Sequence, residues 1–321
     1  CVQGKGVVNS ISMKEGEEKF VREALNGLSR DFGIVPPEIP HTDKDRWRAY
    51  VAAVEAQIVK VSEMRARAFP AKISEHRLTH CTMYEIEPAS LRPENADKAI
   101  LTIHGGAFIV GGGMSAAYIG QTYASLCGIR GYSVDYRMPP DHPFPAGLDD
   151  CVEAYAWLLE RYRPERIALE GGSAGANLVA ATILKARDEG LPVPGAASLH
   201  TAGVDMTHAG DTLTTNQTID VVLRKPQPET MLLYAGGHDM AHPYLSPVFG
   251  DLAKGFPPTI LVSGTRDMLL SPTVMMHRAL RRAGVETELH VFEAMPHGGL
   301  GGESPEVHDR GVSPKWLPVR A

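Results

Sequence analysis

The stretch Arg166-Ile167-Ala168-Leu169-Glu170-Gly171-Gly172-Ser173-Ala174-Gly175 decides how this chain folds. Its first half is a short apolar run of the kind buried in a parallel sheet. Its second half has the form G-x-S-x-G, which puts a serine on a sharp turn between a strand and a helix. The helix is expected over Ala174–Asp188, with Ala174, Leu178, Ala181 and Lys185 at helical spacing and no Gly or Pro between Gly175 and Gly190. An ordinary glycine turn is the plain alternative. The strand before the serine and the helix after it argue against that.

Strand and helix alternate outward from this point. Toward the N-terminus a helix is expected over 147–162, carrying Val152, Tyr155, Leu158 and Leu159 on one face, with strands over Ala99–Ile103 and ending at 133–136. Toward the C-terminus, strands are expected over 196–199, 259–262 and 289–292, with a helix over 272–283 between the last two. The alternation predicts an α/β fold, with a mostly parallel central sheet and helices on both faces. Before it, 76–87 reads as one exposed strand. Two helices are expected still earlier, over 17–32 and from a cap at Asp43 to about Ala68, with Trp47, Val51, Val54 and Ile58 in register.

Asp205 to Pro243 breaks the alternation, and a long insertion between core strands is more often functional than idle. The organisation read from this is a helical cap segment over 1–70, a first core part over 71–204, a second cap segment over 205–243, and a second core part over 244–321 with an atypical tail. A surface excursion is the alternative for 205–243. The N-terminal helices, as a cap, are expected to affect acyl-chain preference more than the chemistry.

A length of 321 residues suits one large α/β domain, and 43% apolar with 22% charged residues is ordinary for a globular chain. A net charge of −6 gives no footprint for nucleic acid or an anionic membrane. No run is long and apolar enough to span a bilayer. Cys1, Cys81, Cys127 and Cys151 match no zinc spacing and are too few for a disulfide scaffold. A cytoplasmic location is expected. Met13 reads as a native start, and a processed or exported form beginning at Cys1 is the alternative. Asn216-Gln217-Thr218 is a glycosylation sequon, with meaning only in a secreted eukaryotic protein.

A serine hydroxyl needs a base within hydrogen-bond reach, and the base needs an orienting carboxylate. On such a sheet the order is serine, acid, histidine. Asp267 follows the strand over 259–262, and His297 lies in Met295-Pro296-His297-Gly298 after the strand over 289–292. Both fall at strand carboxyl ends, where ligands gather on open α/β sheets. Each has a plain alternative, a helix cap for Asp267 and a loop residue for His297. His290 is the nearest rival among thirteen histidines, but within a strand it points into a face. Earlier in the chain, His104-Gly105-Gly106-Ala107 puts a glycine pair on a loop after a strand, with N–H groups free for an oxyanion. A competing motif, Gly111-Gly112-Gly113-Met114-Ser115-Ala116 with Asp135, fits a dinucleotide-binding oxidoreductase. It leaves His104, the serine turn and the ordered acid and histidine unexplained.

Taken together these residues resemble the hormone-sensitive-lipase family of α/β-hydrolases, family IV among bacterial lipolytic enzymes. The resemblance runs from about Lys98 to His297. It is carried by His104-Gly105-Gly106-Ala107-Phe108, by the run from Asp135-Tyr136-Arg137 to Phe144-Pro145-Ala146, by the serine turn, by Asp267-Met268-Leu269-Leu270 and by Met295-Pro296-His297. It implies a carboxylic-ester hydrolase with a helical cap, no cofactor and no metal, acting on a small-molecule ester or lactone of short to medium chain. It implies a triad of Ser173, Asp267 and His297, and oxyanion donors on the backbone of Gly105, Gly106 and Ala174. Ala107, Gly172 and Ala176 stand where the family often has Gly, Asp and Gly. After His297, Gly298 to Gly302 and Pro305, Pro314 and Pro318 stand where the family closes with a helix. A non-catalytic receptor on the same fold is the second reading, against which His297 speaks, and a homodimer stays open.

Overall fold

The computed structural model describes residues 38–299. Eight strands form one sheet: β1 (Ala71–Arg77), β2 (Thr82–Pro88), β3 (Ala99–Ile103), β4 (Arg130–Asp135), β5 (Ile167–Gly172), β6 (Ala196–His200), β7 (Thr259–Gly264) and β8 (Thr287–Phe292). Their order is β1-β2-β4-β3-β5-β6-β7-β8. Only the β1–β2 and β2–β4 pairs are antiparallel. β3 is buried along its whole length, as a strand covered on both faces must be.

The register positions the site. Ile103 pairs with Gly171, Gly172 with His200, and Gly264 with Phe292. The parallel strands therefore end on the same edge of the sheet, with β7 running two residues past its pairing with the end of β6, and the loops that leave β3, β5, β7 and β8 open there. The helices are α1 (Lys44–Ala66), α2 (Met114–Cys127), α3 (Ala146–Leu159), α4 (Ala174–Asp188), the single turn α5 (Thr212–Thr215), α6 (Pro228–Ala235) and α7 (Leu270–Arg282). α4 starts at the serine turn, as expected, and its small residues Ala174, Ala176, Ala180 and Ala181 are buried in the main core. α1 begins where the sequence puts it, capped by the Asp43 carboxylate on the Arg46 N–H at 3.2 Å.

Two expectations change. The stretch 76–87 is not one strand. It is part of a hairpin, closed by the Leu78 N–H on the Cys81 carbonyl at 3.0 Å. The alternation continues through both arms and the turn holds no Gly or Pro, so the pattern carries no break. α2 went unread because its face toward the core is partly polar. Ser115 and Gln121 are buried there, and the Gln121 amide donates to the Ala66 carbonyl at the end of α1. The helix expected over 17–32 and the tail beyond 299 lie outside the described residues. Among the described residues, no helix is long and apolar enough to cross a membrane.

Candidate active site

Ser173 sits between β5 and α4 with φ 59° and ψ −121°. A non-glycine residue is rarely found there, and it persists only where surrounding structure holds it. The hold comes from β6 and its loop. The Ser173 N–H donates to the His200 carbonyl at 2.9 Å, and the Ser173 carbonyl accepts from Gly203 N–H at 3.3 Å. The hydroxyl is thereby presented at the carboxyl edge of the sheet.

The three side chains singled out in the sequence meet there. His297 Nε2 lies 2.9 Å from Ser173 Oγ across 124 residues, and His297 Nδ1 lies 3.0 Å from Asp267 Oδ1. A carboxylate accepts, so Nδ1 carries the proton of the neutral ring and Nε2 is free to accept from the serine. Asp267 is fully buried. Its Oδ2 accepts from the Ser263 hydroxyl at 2.6 Å and its Oδ1 from the Leu269 N–H at 2.9 Å. Gly264, at the end of β7, lets the two loops touch, because a Cβ there would lie 1.9 Å from the Met295 carbonyl oxygen. His290 bonds Glu288 on β8 instead, at 3.1 Å.

Sequence reasoning missed Asp220. It comes from the 205–243 segment and is buried beside the pair. One ligand atom each from Asp220, Asp267 and His297 lie within 4.8 Å of one another. Burial pulls the proton affinity of His297 down. The hydrogen bond and charge of Asp267, with the charge of Asp220, outweigh it and leave the ring above its ordinary value of 6.5. The three groups have metal-ligand spacing, but both nitrogens of His297 are engaged and the Asp220 oxygens take backbone N–H groups. Nothing about Asp220 in the sequence sets it apart from other acids in loops. Asn216, the sequon residue, is buried and donates to the Asp267 carbonyl at 2.9 Å, so its amide holds the acid loop.

The glycine loop lies against the serine turn. A Cβ on Gly105 would be 2.7 Å from the Gly172 carbonyl oxygen and 3.4 Å from the Ser173 Cβ. Gly106 has φ 113°, and a Cβ there would fall 2.0 Å from the Val110 carbonyl oxygen. Ala107 and Phe108 follow with φ 53° and 66°, so Ala107, where the family often has glycine, takes the left-handed conformation regardless. His104 is buried, stacked on Tyr136 at 4.1 Å, and its Nδ1 donates to the Gly105 carbonyl at 2.7 Å. Burial lowers its proton affinity, against the Gly105 bond and the charge of Asp135. A neutral ring fits that single donation.

The second missed residue is Glu55 on α1. Its Oε1 accepts from the Gly111 N–H at 2.5 Å and the Gly112 N–H at 3.1 Å. These are the amides that a pyrophosphate would need in the dinucleotide reading, and a carboxylate already holds them. Asp141, within the proline-rich run, is held by Arg48 of α1 at 2.7 Å.

A family model for the alpha/beta hydrolase fold matches residues 100–300. The chain belongs to the α/β-hydrolase family. It is 32% identical to an acetyl-hydrolase of Streptomyces hygroscopicus over 220 residues, covering 68% of this chain and 72% of that one. The crystal structure of an esterase superposes with a TM-score of 0.84 at 31% identity, covering 97% of both chains. That of an esterase from the bacterial hormone-sensitive lipase family gives a TM-score of 0.77 at 28% identity, over 95% of this chain and 98% of the other. The resemblance found in the sequence therefore stands, and this α/β-hydrolase is a carboxylic-ester hydrolase of the hormone-sensitive-lipase group.

Proposed function

We propose that Ser173, His297 and Asp267 form the triad that hydrolyses the ester. The observation that carries the reading is His297 bridging Ser173 Oγ and Asp267 Oδ1 at 2.9 and 3.0 Å. His297 Nε2 takes the serine proton as Oγ attacks the ester carbonyl. Asp267 holds the ring in the tautomer that accepts and stabilises the imidazolium that forms. His297 then protonates the leaving alcohol, and water removes the acyl group by the same steps in reverse.

The N–H groups of Gly105, Gly106 and Ala174 bind the oxyanion. The peptide between Gly105 and Gly106 is planar, so its carbonyl and N–H point in opposite directions. His104 holds that carbonyl, which fixes the direction of the Gly106 N–H. Ala174 opens α4, where backbone N–H groups have no partner within the helix.

The substrate is a compact ester of short to medium acyl chain, in keeping with the acetyl-hydrolase among the relatives. The described segments over 38–70 and 205–243 cover the site as a cap, and the part of the expected N-terminal cap before residue 38 lies outside the described residues. Phe108 of the glycine loop stacks on Tyr234 of α6 at 4.0 Å, which brings that segment against the loop. A series of p-nitrophenyl esters of increasing acyl length tests the substrate class. Highest kcat/KM at the short end is expected, and a maximum at long chains would overturn it.

A further inference from the structure

Asp220 puts a second carboxylate at the base. Asp220 and Asp267 are 2% and 0% exposed and His297 5%, so two acids face one imidazole out of water. Unlike charges within 4.8 Å attract far more strongly there than in bulk solvent. Asp220 is also fixed in place. Its Oδ1 accepts from the N–H groups of Val222 at 2.9 Å and Leu223 at 3.2 Å, and its Oδ2 accepts from the Met268 N–H at 2.9 Å. Met268 directly follows Asp267, so this bond spans 48 residues to hold the turn that carries the acid. The same segment holds the turn again through Asn216 on the Thr265 and Asp267 carbonyls. A residue needed only to shape its own turn would make the first two bonds and not the third.

We propose that Asp220 is a positioning residue for the base, its charge stabilising the imidazolium that forms on His297 and its bond to Met268 N–H orienting Asp267. The base is then served by two carboxylates, one in direct contact and one behind it. His297 meets Asp267 through Nδ1 and the neutral Ser173 hydroxyl through Nε2, and Asp220 adds its charge from within 4.8 Å. The raised proton affinity of His297 agrees with a contribution from both acids. The inference rests on the triad reading of Ser173, His297 and Asp267.

The test is the pH profile of kcat/KM for a short p-nitrophenyl ester, measured on the full chain as wild type, Asp220→Asn and Asp220→Ser, with folding followed by circular dichroism. Serine can accept the local turn bonds in place of aspartate, without the charge. Both variants are expected to fold, to lose about tenfold in the plateau, and to show the acid limb at lower pH than wild type. In an Asp267→Asn background, removing Asp220 is expected to cost a different factor than in wild type, by about tenfold, as neighbours in one network do. A plateau that falls equally at every pH, with the limb unmoved, would reduce Asp220 to a turn former and overturn the inference. Failure of both variants to fold would overturn it equally. Ser173→Ala run in the same series separates the two readings. Activity surviving there unseats the triad, whereas an inactive Ser173→Ala beside an unmoved limb unseats Asp220 alone.

Discussion

Single residues set the chemistry through where their atoms are held. As the proposed base, His297 must be neutral to take a proton, and its surroundings raise its proton affinity above 6.5. The acid limb of kcat/KM is therefore expected above the range of a free histidine, with activity falling as pH drops through it. A rate profile flat into the carboxylate range would contradict a histidine base. Gly106 gives a second expectation. Read from sequence, a side chain there would fill the space of the oxyanion. The geometry gives a different cause, because a Cβ would collide with the Val110 carbonyl at 2.0 Å and the φ of 113° suits glycine. Gly106→Val is expected to move the whole loop and to cost about 10²–10³ in kcat, the value of a lost oxyanion donor. Comparison of kcat with the folded fraction checks this. Activity that simply follows the folded fraction would place the loop away from the reaction.

At the level of elements, α1 is tied to the glycine loop. Its Glu55 holds two glycine amides of the loop, and Trp47 with Val51, Val54 and Ile58 packs on Ile109 and Val110. Read from sequence, removing this segment changes acyl-chain preference more than the chemistry. The packing makes it part of the support for the loop that carries the proposed oxyanion donors. Glu55→Ala leaves two amide donors without their partner, and each such loss costs about 1–3 kcal/mol when buried. A fall of at least about tenfold in kcat with a smaller change in KM is expected. Steady-state kinetics on a folded variant decides it, and an unchanged kcat would return α1 to a purely covering role. α1 itself was legible from its capping aspartate and its apolar spacing. Its carboxylate contact was not, since Glu55 bonds residues 56 and 57 positions away and no local pattern encodes such a meeting.

For the whole molecule, the sheet aligns loops that are far apart in sequence. Strand ends on one edge of the sheet bring Ser173, Asp267 and His297 together across 124 residues, so strand order and motif order point to three side chains that meet. A buried parallel strand writes itself as an apolar run, and a strand end followed by Asp or His is visible in the chain. The hairpin of β1 and β2 was hidden by continuous alternation, and α2 by its buried polar face. Asp220 was hidden because residues 216–227 around it form neither helix nor strand that would register it against the acid loop. The proposed chemistry turns on one hydroxyl. Ser173→Ala removes a single oxygen and leaves every backbone contact of the turn in place. Measured as kcat for a p-nitrophenyl ester on the folded variant, activity is expected to fall by about 10⁴–10⁶. Turnover near that of the wild type would contradict Ser173 as the nucleophile and the account built on it.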